Sequence, residues 1–188
     1  MSFIIRLASF EDVPEMERLI AESVRGLSRG FYTDSQIESA IKYIFGVDSQ
    51  LLVDRTYYVA MEASIIVACG GWSKRNTLYG GDQHKSMYDP LLDPNKDAAR
   101  IRAFFVHPNW ARKGLGRSMI QLCEEAAMKN GFNQMTLGAT LTGEPLYLSM
   151  GYSSVERTEA LMPDNQVMTI VKMKKSLLEV NEQSPNQK

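Results

Sequence analysis

The sequence predicts one mixed α/β (α+β) domain in which helices flank a central sheet. Two observations indicate this class. The chain has 188 residues, of which 44% are hydrophobic, so it can bury a sizeable core. Short strand-like runs also alternate with helical patterns, without an internal repeat. We expect the domain to span residues 1–178 and the polar residues 179–188 to form a frayed tail.

The first half of the chain predicts a strand, two helices and a hairpin. Residues 3–8 form an apolar strand candidate. Helical patterns follow over residues 9–28 and 33–45, and both open with a capping-box spacing of Ser or Thr and an acidic or amide residue three positions later. The β-branched and aromatic runs over residues 56–73 predict a hairpin that turns at Ala63.

The second half predicts a long loop and then alternating strands and helices. Residues 74–97 are rich in Gly, Pro, Asp and Asn, and a loop of this length is uncommon in a compact domain unless it is functional or disordered. The expected elements after it are strands over residues 98–108, 133–139, 152–156 and 166–173, with helices over residues 114–131 and 144–151.

Composition excludes several classes of function. The net charge of −1 gives no reason to expect nucleic acid or an anionic membrane as a partner. Neither the two cysteines (Cys69, Cys123) nor the two histidines (His84, His107) have metal-ligand spacing, so we expect no metal site. The N-terminus does not resemble a signal peptide, and no segment reaches the roughly 18 apolar residues of a membrane span. We therefore expect a cytoplasmic protein with reduced thiols.

A glycine pair, Gly114 and Gly116, lies where an apolar strand leads into a helix. The first turn of a helix has unpaired N–H groups and the positive end of the helix dipole, which attract phosphate oxygens. Glycine removes side chains that would keep an anion away, and Arg112, Lys113 and Arg117 add positive charge. The stretch therefore predicts a pyrophosphate site. It lacks the Lys-Ser or Lys-Thr pair of a P-loop and the third glycine of a dinucleotide-binding motif.

The stretch "ARKGLGR" resembles motif A of the GCN5-related N-acetyltransferases, the GNAT superfamily, which follows an apolar strand ending in Val-x-Pro, here "FFVHP". "LYLSMGY" downstream resembles a second patch of that superfamily, and the order of elements agrees along nearly the whole chain. The resemblance implies the GNAT fold, a mixed and mostly antiparallel sheet that is splayed at the cofactor site and flanked by helices.

The resemblance also implies which residues hold acetyl-CoA. The backbone of Phe104, Phe105 and Val106 would bind the pantetheine amides. The loop of Arg112, Lys113, Gly114, Leu115, Gly116 and Arg117 would surround the pyrophosphate. This sequence departs from the motif at Ala111, where the superfamily has Gln or Arg, so one side-chain contact is missing.

Tyr147, four residues before Gly151, occupies the place of a tyrosine that lies near the cofactor sulfur in the superfamily and protonates the departing thiolate. A buried structural tyrosine is the alternative. Several members carry an asparagine seven residues before that tyrosine, and here the residue is Thr140, which puts that cofactor contact in doubt.

No general base is evident. Two positions that commonly supply a glutamate in the superfamily are Arg100 and Met135 here. The open alternatives are a water chain or one of the residues His107, Glu144, His84 and Asp82. Arg100 and Arg102 point to one face of their strand, where they would bind an anionic substrate or form a salt bridge.

Together these features predict an acetyl-CoA-dependent N-acetyltransferase that transfers the acetyl group directly to a primary amine of a small molecule or peptide. A non-catalytic acyl-CoA-binding or sensing domain is the alternative, and a homodimer stays open. We expect the loop over residues 74–97, with Tyr79 and His84, to cover the acceptor side of the cleft and to help select the amine. A loop that points away into solvent is the other reading.

Overall fold

The computed structural model describes residues 3–178 as a seven-stranded sheet with helices on both faces. The strands are β1 (Ile4–Leu7), β2 (Tyr57–Glu62), β3 (Ile65–Ser73), β4 (Ala99–Val106), β5 (Gln134–Thr140), β6 (Ser153–Leu161) and β7 (Val167–Ser176). The helices are α1 (Val13–Leu27), α2 (Asp34–Tyr43), α3 (Ser49–Val53), α4 (Leu115–Lys129) and α5 (Glu144–Ser149). The predicted tail over residues 179–188 lies outside the described residues.

The strands follow the order β1-β2-β3-β4-β5-β7-β6. Every neighbouring pair is antiparallel except β4 and β5, which are parallel. The predicted class, a mixed and mostly antiparallel sheet flanked by helices, is therefore confirmed. One apolar core lies between α1, α2 and α3 and the first face of the sheet, and a second lies between α4 and α5 and the opposite face.

The capping signals predict the helix starts well. Thr33 Oγ1 accepts a hydrogen bond from the Gln36 N–H, and Gln36 Oε1 accepts one from the Thr33 N–H at 2.9 Å. The first helix differs slightly from its prediction, because residues 10–12 form a 3-10 turn capped by Ser9 and Asp12. The α-helix proper begins at Val13, one residue before a proline, whose missing N–H is tolerated in the first turn.

Two elements differ from the sequence prediction. Helix α3 is absent from it, because five residues are too few for helical periodicity to show, although Asp48 caps the helix by accepting the Gln50 N–H at 3.1 Å. Strand β6 is longer than residues 152–156. It is the edge strand and only Ala160 in it is buried, so no alternation of apolar residues marks its length.

The sheet opens between β4 and β5. The two strands pair only at Ala99 with Met135 and at Arg100 with Thr136. Farther along, the β3–β4 register advances by one extra residue on β4, and Ala103 takes a left-handed φ of 51°, which marks a β-bulge. The predicted splay is thus present, and a gap separates residues 103–106 from residues 137–140.

Candidate active site

A cavity of about 90 Å³ lies in the gap between β4 and β5. Four segments and two single residues form its wall: residues 45–46, 79–81, 103–105 and 138–140, together with Gly143 and Tyr147. The first two segments come from the α2–α3 connection and from the loop before β4. The cavity is therefore enclosed by parts of the chain that are far apart in sequence.

Tyr147 is the only buried tyrosine in that wall, with 7% of its surface exposed. Its ring contacts Tyr152 edge to face, with 5.6 Å between the ring centroids. Burial, with a smaller effect of the Cys123 thiol, raises the pKa of Tyr147 above its ordinary value of 10.0. The hydroxyl therefore keeps its proton at neutral pH, as a proton donor must.

The loop over residues 112–117, which we call the cofactor loop, precedes and enters the first turn of α4. Arg112 and Gly114 have left-handed φ angles of 63° and 83°. A Cβ atom at Gly114 would meet no atom within 4 Å, so this glycine is needed for its backbone conformation and leaves open space in front of it.

The absence of a side chain at Gly116 is explained by packing, whereas the sequence suggested a role in anion binding. A Cβ atom there would lie 3.0 Å from Leu146 Cδ2 of α5. Its small size serves the packing of α5 against the start of α4.

The cofactor loop carries three exposed basic side chains: Arg112, Lys113 and Arg117. Within residues 3–178 none of them forms an ion pair with a carboxylate. Arg117 donates a hydrogen bond to Ser149 Oγ at 3.2 Å, and Lys113 Nζ lies 5.9 Å from the centroid of the Trp110 ring. Their positive charges are therefore available to phosphate groups.

Residues 74–97 cover the other side of the cavity, where Tyr79, Gly80 and Gly81 form part of its wall. Tyr79 fits against β5 because Gly138 has no side chain: a Cβ atom at Gly138 would lie 2.9 Å from Tyr79 Cδ1. His84 stacks on the Tyr79 ring at 5.2 Å between centroids but is not itself in the wall. Part of the loop thus lies at the cavity, and its role in selecting the acceptor stays a prediction.

Arg102 requires a correction. Its side chain is fully buried and pairs with Asp48, with 2.8 Å between Nη2 and Oδ2. It also donates hydrogen bonds to the carbonyl oxygens of Thr77 and Gly80, at 3.0 and 2.6 Å. Arg102 is therefore engaged in holding the loop, and the predicted substrate contact does not fit its position. Of the two alternatives, the salt bridge is the one observed.

Three of the four candidate general bases lie beside charged groups outside the cavity, and the fourth, His84, stacks on the Tyr79 ring. His107 Nε2 lies 3.3 Å from a Glu22 oxygen, Glu144 pairs with Arg157 at 2.8 Å, and Asp82 pairs with Lys85 at 2.8 Å. No carboxylate or imidazole of the described residues forms part of the cavity wall. Arg100 lines a second opening on the same side of the sheet.

The sequence analysis missed Phe45, Gly46, Gly138 and Asp48. Asp48 had a signal, since an Asp before an apolar run is a common helix start. The other three are ordinary loop or strand residues until the fold brings them to the cavity. Among residues 3–178 there is no group of three or more His, Cys, Asp or Glu that could hold a metal ion. No described helix is long and apolar enough to cross a membrane.

A sheet opened between two parallel central strands, with a glycine-led helix start at the opening, agrees with the fold that the superfamily resemblance implies. Residues 91–177 match the family model described as an acetyltransferase (GNAT) domain. This part of the chain, which includes the cofactor loop and Tyr147, is therefore similar to the acetyltransferase (GNAT) domain.

Solved structures have the same fold. A GCN5-related N-acetyltransferase from Rhodopseudomonas palustris is 18% identical, with a TM-score of 0.70 over 94% of this chain and 97% of its own. The PaiA N-acetyltransferase of Thermoplasma acidophilum, solved with coenzyme A, is 18% identical, with a TM-score of 0.63 over 94% and 99%. YncA of Salmonella typhimurium, solved with acetyl-CoA, is 16% identical, with a TM-score of 0.61 over 99% of both chains. No curated protein matches by sequence.

Proposed function

We propose that this chain transfers the acetyl group of acetyl-CoA directly to a primary amine. One observation carries the proposal: a buried, protonated Tyr147 forms part of the wall of a small cavity that lies in the gap between β4 and β5. A proton donor in an enclosed space beside an open strand edge is what transfer from a thioester requires.

The residues present fit acetyl-CoA. Beyond Arg100, β4 has no pairing with β5, so the backbone edge of residues 104–106 faces the gap without a strand partner. That edge can bind the amides of the pantetheine arm, as a neighbouring strand would. The cofactor loop offers the free N–H groups of a helix start, open space at Gly114 and unpaired cations. These groups suit a pyrophosphate.

Acetyl-CoA supplies an acetyl group on a thioester whose thiolate leaves more readily when it is protonated. The amine nitrogen forms the new C–N bond, the C–S bond breaks, and the Tyr147 hydroxyl gives its proton to sulfur. The amine releases one proton to water, and water returns a proton to the Tyr147 oxygen. The balance is one amide and one free thiol. The residues over the gap limit the access of bulk water to the reacting groups.

The described cavity wall has no carboxylate or imidazole that could take a proton from the acceptor amine. Its first proton is lost to water before the attack, so the rate should follow the fraction of neutral amine. An α-amino group, with a pKa of about 7.7–8.0, is then far more often neutral at pH 7 than a lysine amine at about 10.4.

The cavity is small enough to hold only the amino end of an acceptor. The rest of the acceptor must therefore lie outside the cavity, beside residues 45–46 and 79–81. We propose that Tyr79 and the loop over residues 74–97 help to select the acceptor there. Shortening that loop to a tight turn should change acceptor preference and leave acetyl-CoA binding intact.

The test of the function combines calorimetric titration of acetyl-CoA with a thiol-release assay across a panel of amines. We expect binding of acetyl-CoA and release of free thiol that depends on the amine. Binding without release on any amine would favour the sensing alternative. Absence of binding would overturn the cofactor assignment.

A further inference from the structure

A second opening, a groove of about 470 Å³, lies on the α1–α2 side of the sheet. Three basic residues line it: Arg100 of β4 and Lys172 and Lys174 of β7. The remaining lining groups are neutral, among them Thr136, Gln134 and Leu78. Because the lining of the groove has positive side chains and no acidic ones, an anionic ligand would complement its charge.

The groove continues from the cavity along one face of the sheet. Thr136 lines the groove, and Gly138, two residues farther along β5, lines the cavity. Residues two apart in a strand point to the same face, about 7 Å from each other. On the loop, Leu78 lines the groove and its neighbour Tyr79 lines the cavity. An acceptor with its amine in the cavity can therefore extend into the groove.

The basic side chains have no acidic partner within the described part of the chain. Arg100 donates hydrogen bonds only to neutral oxygens, of which the Ala98 carbonyl is nearest at 2.7 Å. Neither Lys172 nor Lys174 has a carboxylate within 4.0 Å among residues 3–178. Glu156 is paired in register with Lys172 but forms no ion pair with it, while Asp97 and Asp89 act on Arg100 only at longer range. The groove therefore keeps an excess of positive charge.

The spacing of the two lysines indicates the shape of the anion. Lys172 and Lys174 lie on the same face of β7, about 7 Å apart along the strand. Alternate side chains of an extended peptide have the same spacing, so two carboxylates of an acidic peptide could meet the two lysines in register.

We propose that the groove binds acidic side chains of a peptide-like acceptor whose amino end lies in the cavity. This inference rests on the proposed function for the identity of the acceptor, and on the groove alone for the binding of acidic groups. The two parts can be tested separately.

The experiment compares the wild-type protein with the double variant Lys172→Gln, Lys174→Gln. A control double variant, Arg18→Gln, Lys129→Gln, removes the same charge from exposed helix positions that have no ion pair in the described structure and lie outside the groove. Tetraglutamate amide is titrated calorimetrically into each protein at low salt. Acetyl-CoA is titrated separately into the same three proteins.

We expect the groove variant to bind tetraglutamate about 5- to 20-fold more weakly than wild type, and added salt to weaken the wild-type binding. The control variant should bind like wild type, and all three should bind acetyl-CoA equally. Equal tetraglutamate binding by all three proteins, or none by wild type, would overturn the groove assignment.

The acceptor assignment is tested by acetyl transfer to 6-aminohexanoate and to hexylamine, which differ in the carboxylate. Wild type should prefer 6-aminohexanoate, and the groove variant should lose most of this preference. An equal rate on both amines with wild type would overturn that part. Absence of thiol release with every amine would instead mark a failure of the proposed function, since the tetraglutamate titration does not depend on turnover.

Discussion

The two sides of the cavity are built in different ways. The cofactor loop is one contiguous stretch in which Arg112, Lys113, Gly114 and Arg117 are exposed, and its proposed binding groups are mainly backbone N–H groups. The acceptor cover, which we define as residues 44–49 and 77–85, consists of two distant segments joined through buried side chains. A cofactor that is the same in every turnover can be bound by a short backbone motif. Under the proposed function, the acceptor is enclosed by a surface whose shape depends on tertiary contacts.

Backbone and side-chain contacts join the two segments of the acceptor cover. The Gly81 N–H donates to the Ile44 carbonyl at 2.8 Å, and the Asp82 N–H donates to the Val47 carbonyl at 3.0 Å. Asp48 lies beneath them, 1% exposed, and pairs with both Arg102 and Lys85. Because Arg102 belongs to β4, this buried pair attaches the cover to the strand that lines the cavity.

Loss of Arg102 should produce the largest effect. Arg102→Met leaves the Asp48 carboxylate with one cation fewer in a buried site, and breaking a buried pair costs about 3–5 kcal/mol of unfolding free energy. The acceptor KM should rise, because residues 77–81 lose two hydrogen bonds, while the Kd of acetyl-CoA stays near wild type. Urea unfolding, steady-state kinetics and calorimetry measure these three quantities.

Arg102→Lys and Arg75→Met are the matched controls. The lysine keeps the charge beside Asp48, so it should recover part of the lost stability. Arg75 anchors the same loop through Asp54 at 2.7 Å, away from the cavity wall. Its loss should lower stability without raising the acceptor KM. An equal rise in KM for both arginine variants would show that the cover is not specifically positioned by Arg102.

Tyr147→Phe should have the next largest effect. Tyr147 lies in the cavity wall, between the cofactor loop and the acceptor cover. The variant removes the proton donor, so kcat should fall about hundredfold or more, the usual contribution of general acid catalysis. The Kd of acetyl-CoA should stay unchanged, because the hydroxyl proton is used only in the transition state. Tyr152→Phe is the control, since its ring contacts Tyr147 and Tyr152 is not among the residues that line the wall. Wild-type turnover in Tyr147→Phe would show that Tyr147 contributes only to packing.

Gly114→Ala addresses the cofactor side. The left-handed φ of 83° makes alanine unfavourable by about 1–2 kcal/mol, and the new methyl group points into the open space where phosphate would approach. Gly131→Ala is the matched control, because Gly131 ends the same helix with a φ of 88°. Both variants should lose similar stability in thermal unfolding, and only Gly114→Ala should bind acetyl-CoA more weakly. Equal acetyl-CoA affinity in both would contradict the assignment of the cofactor loop.

A smaller effect is expected from pH on the acceptor cover. Burial, with the charge of Arg102, lowers the pKa of His84 below its ordinary value of 6.5. The unfolded chain therefore takes up a proton at higher pH than the folded one, so the stabilising effect of neutral His84 is lost as pH falls below 6.5. Between pH 7.5 and 5 the thermal stability should fall and the acceptor KM should rise. His84→Asn should make both changes smaller. A pH response identical in His84→Asn would assign it to another group.

The sequence by itself determined most of the fold and the cofactor side. Capping residues set the starts of α2 and of the 3-10 turn that precedes α1. Alternation and β-branched runs predicted the β2–β3 hairpin, and the glycine pair predicted the start of α4. These features are local: each depends on the backbone preferences and hydrogen-bonding groups of a few consecutive residues. Tyr147 lies at the cavity, and its position beside the cofactor sulfur, which the superfamily resemblance implies, stays a prediction.

The tertiary structure alone decided the acceptor side. The sequence shows that Arg100 and Arg102 share a face, but it does not show that one is neutralised by Asp48 and the other faces an open groove. Nor does it show that Gly138 is small because Tyr79 lies against it. The physical reason is that a charge changes its role with burial and with its partners, and both are set by contacts between segments that are distant in the chain.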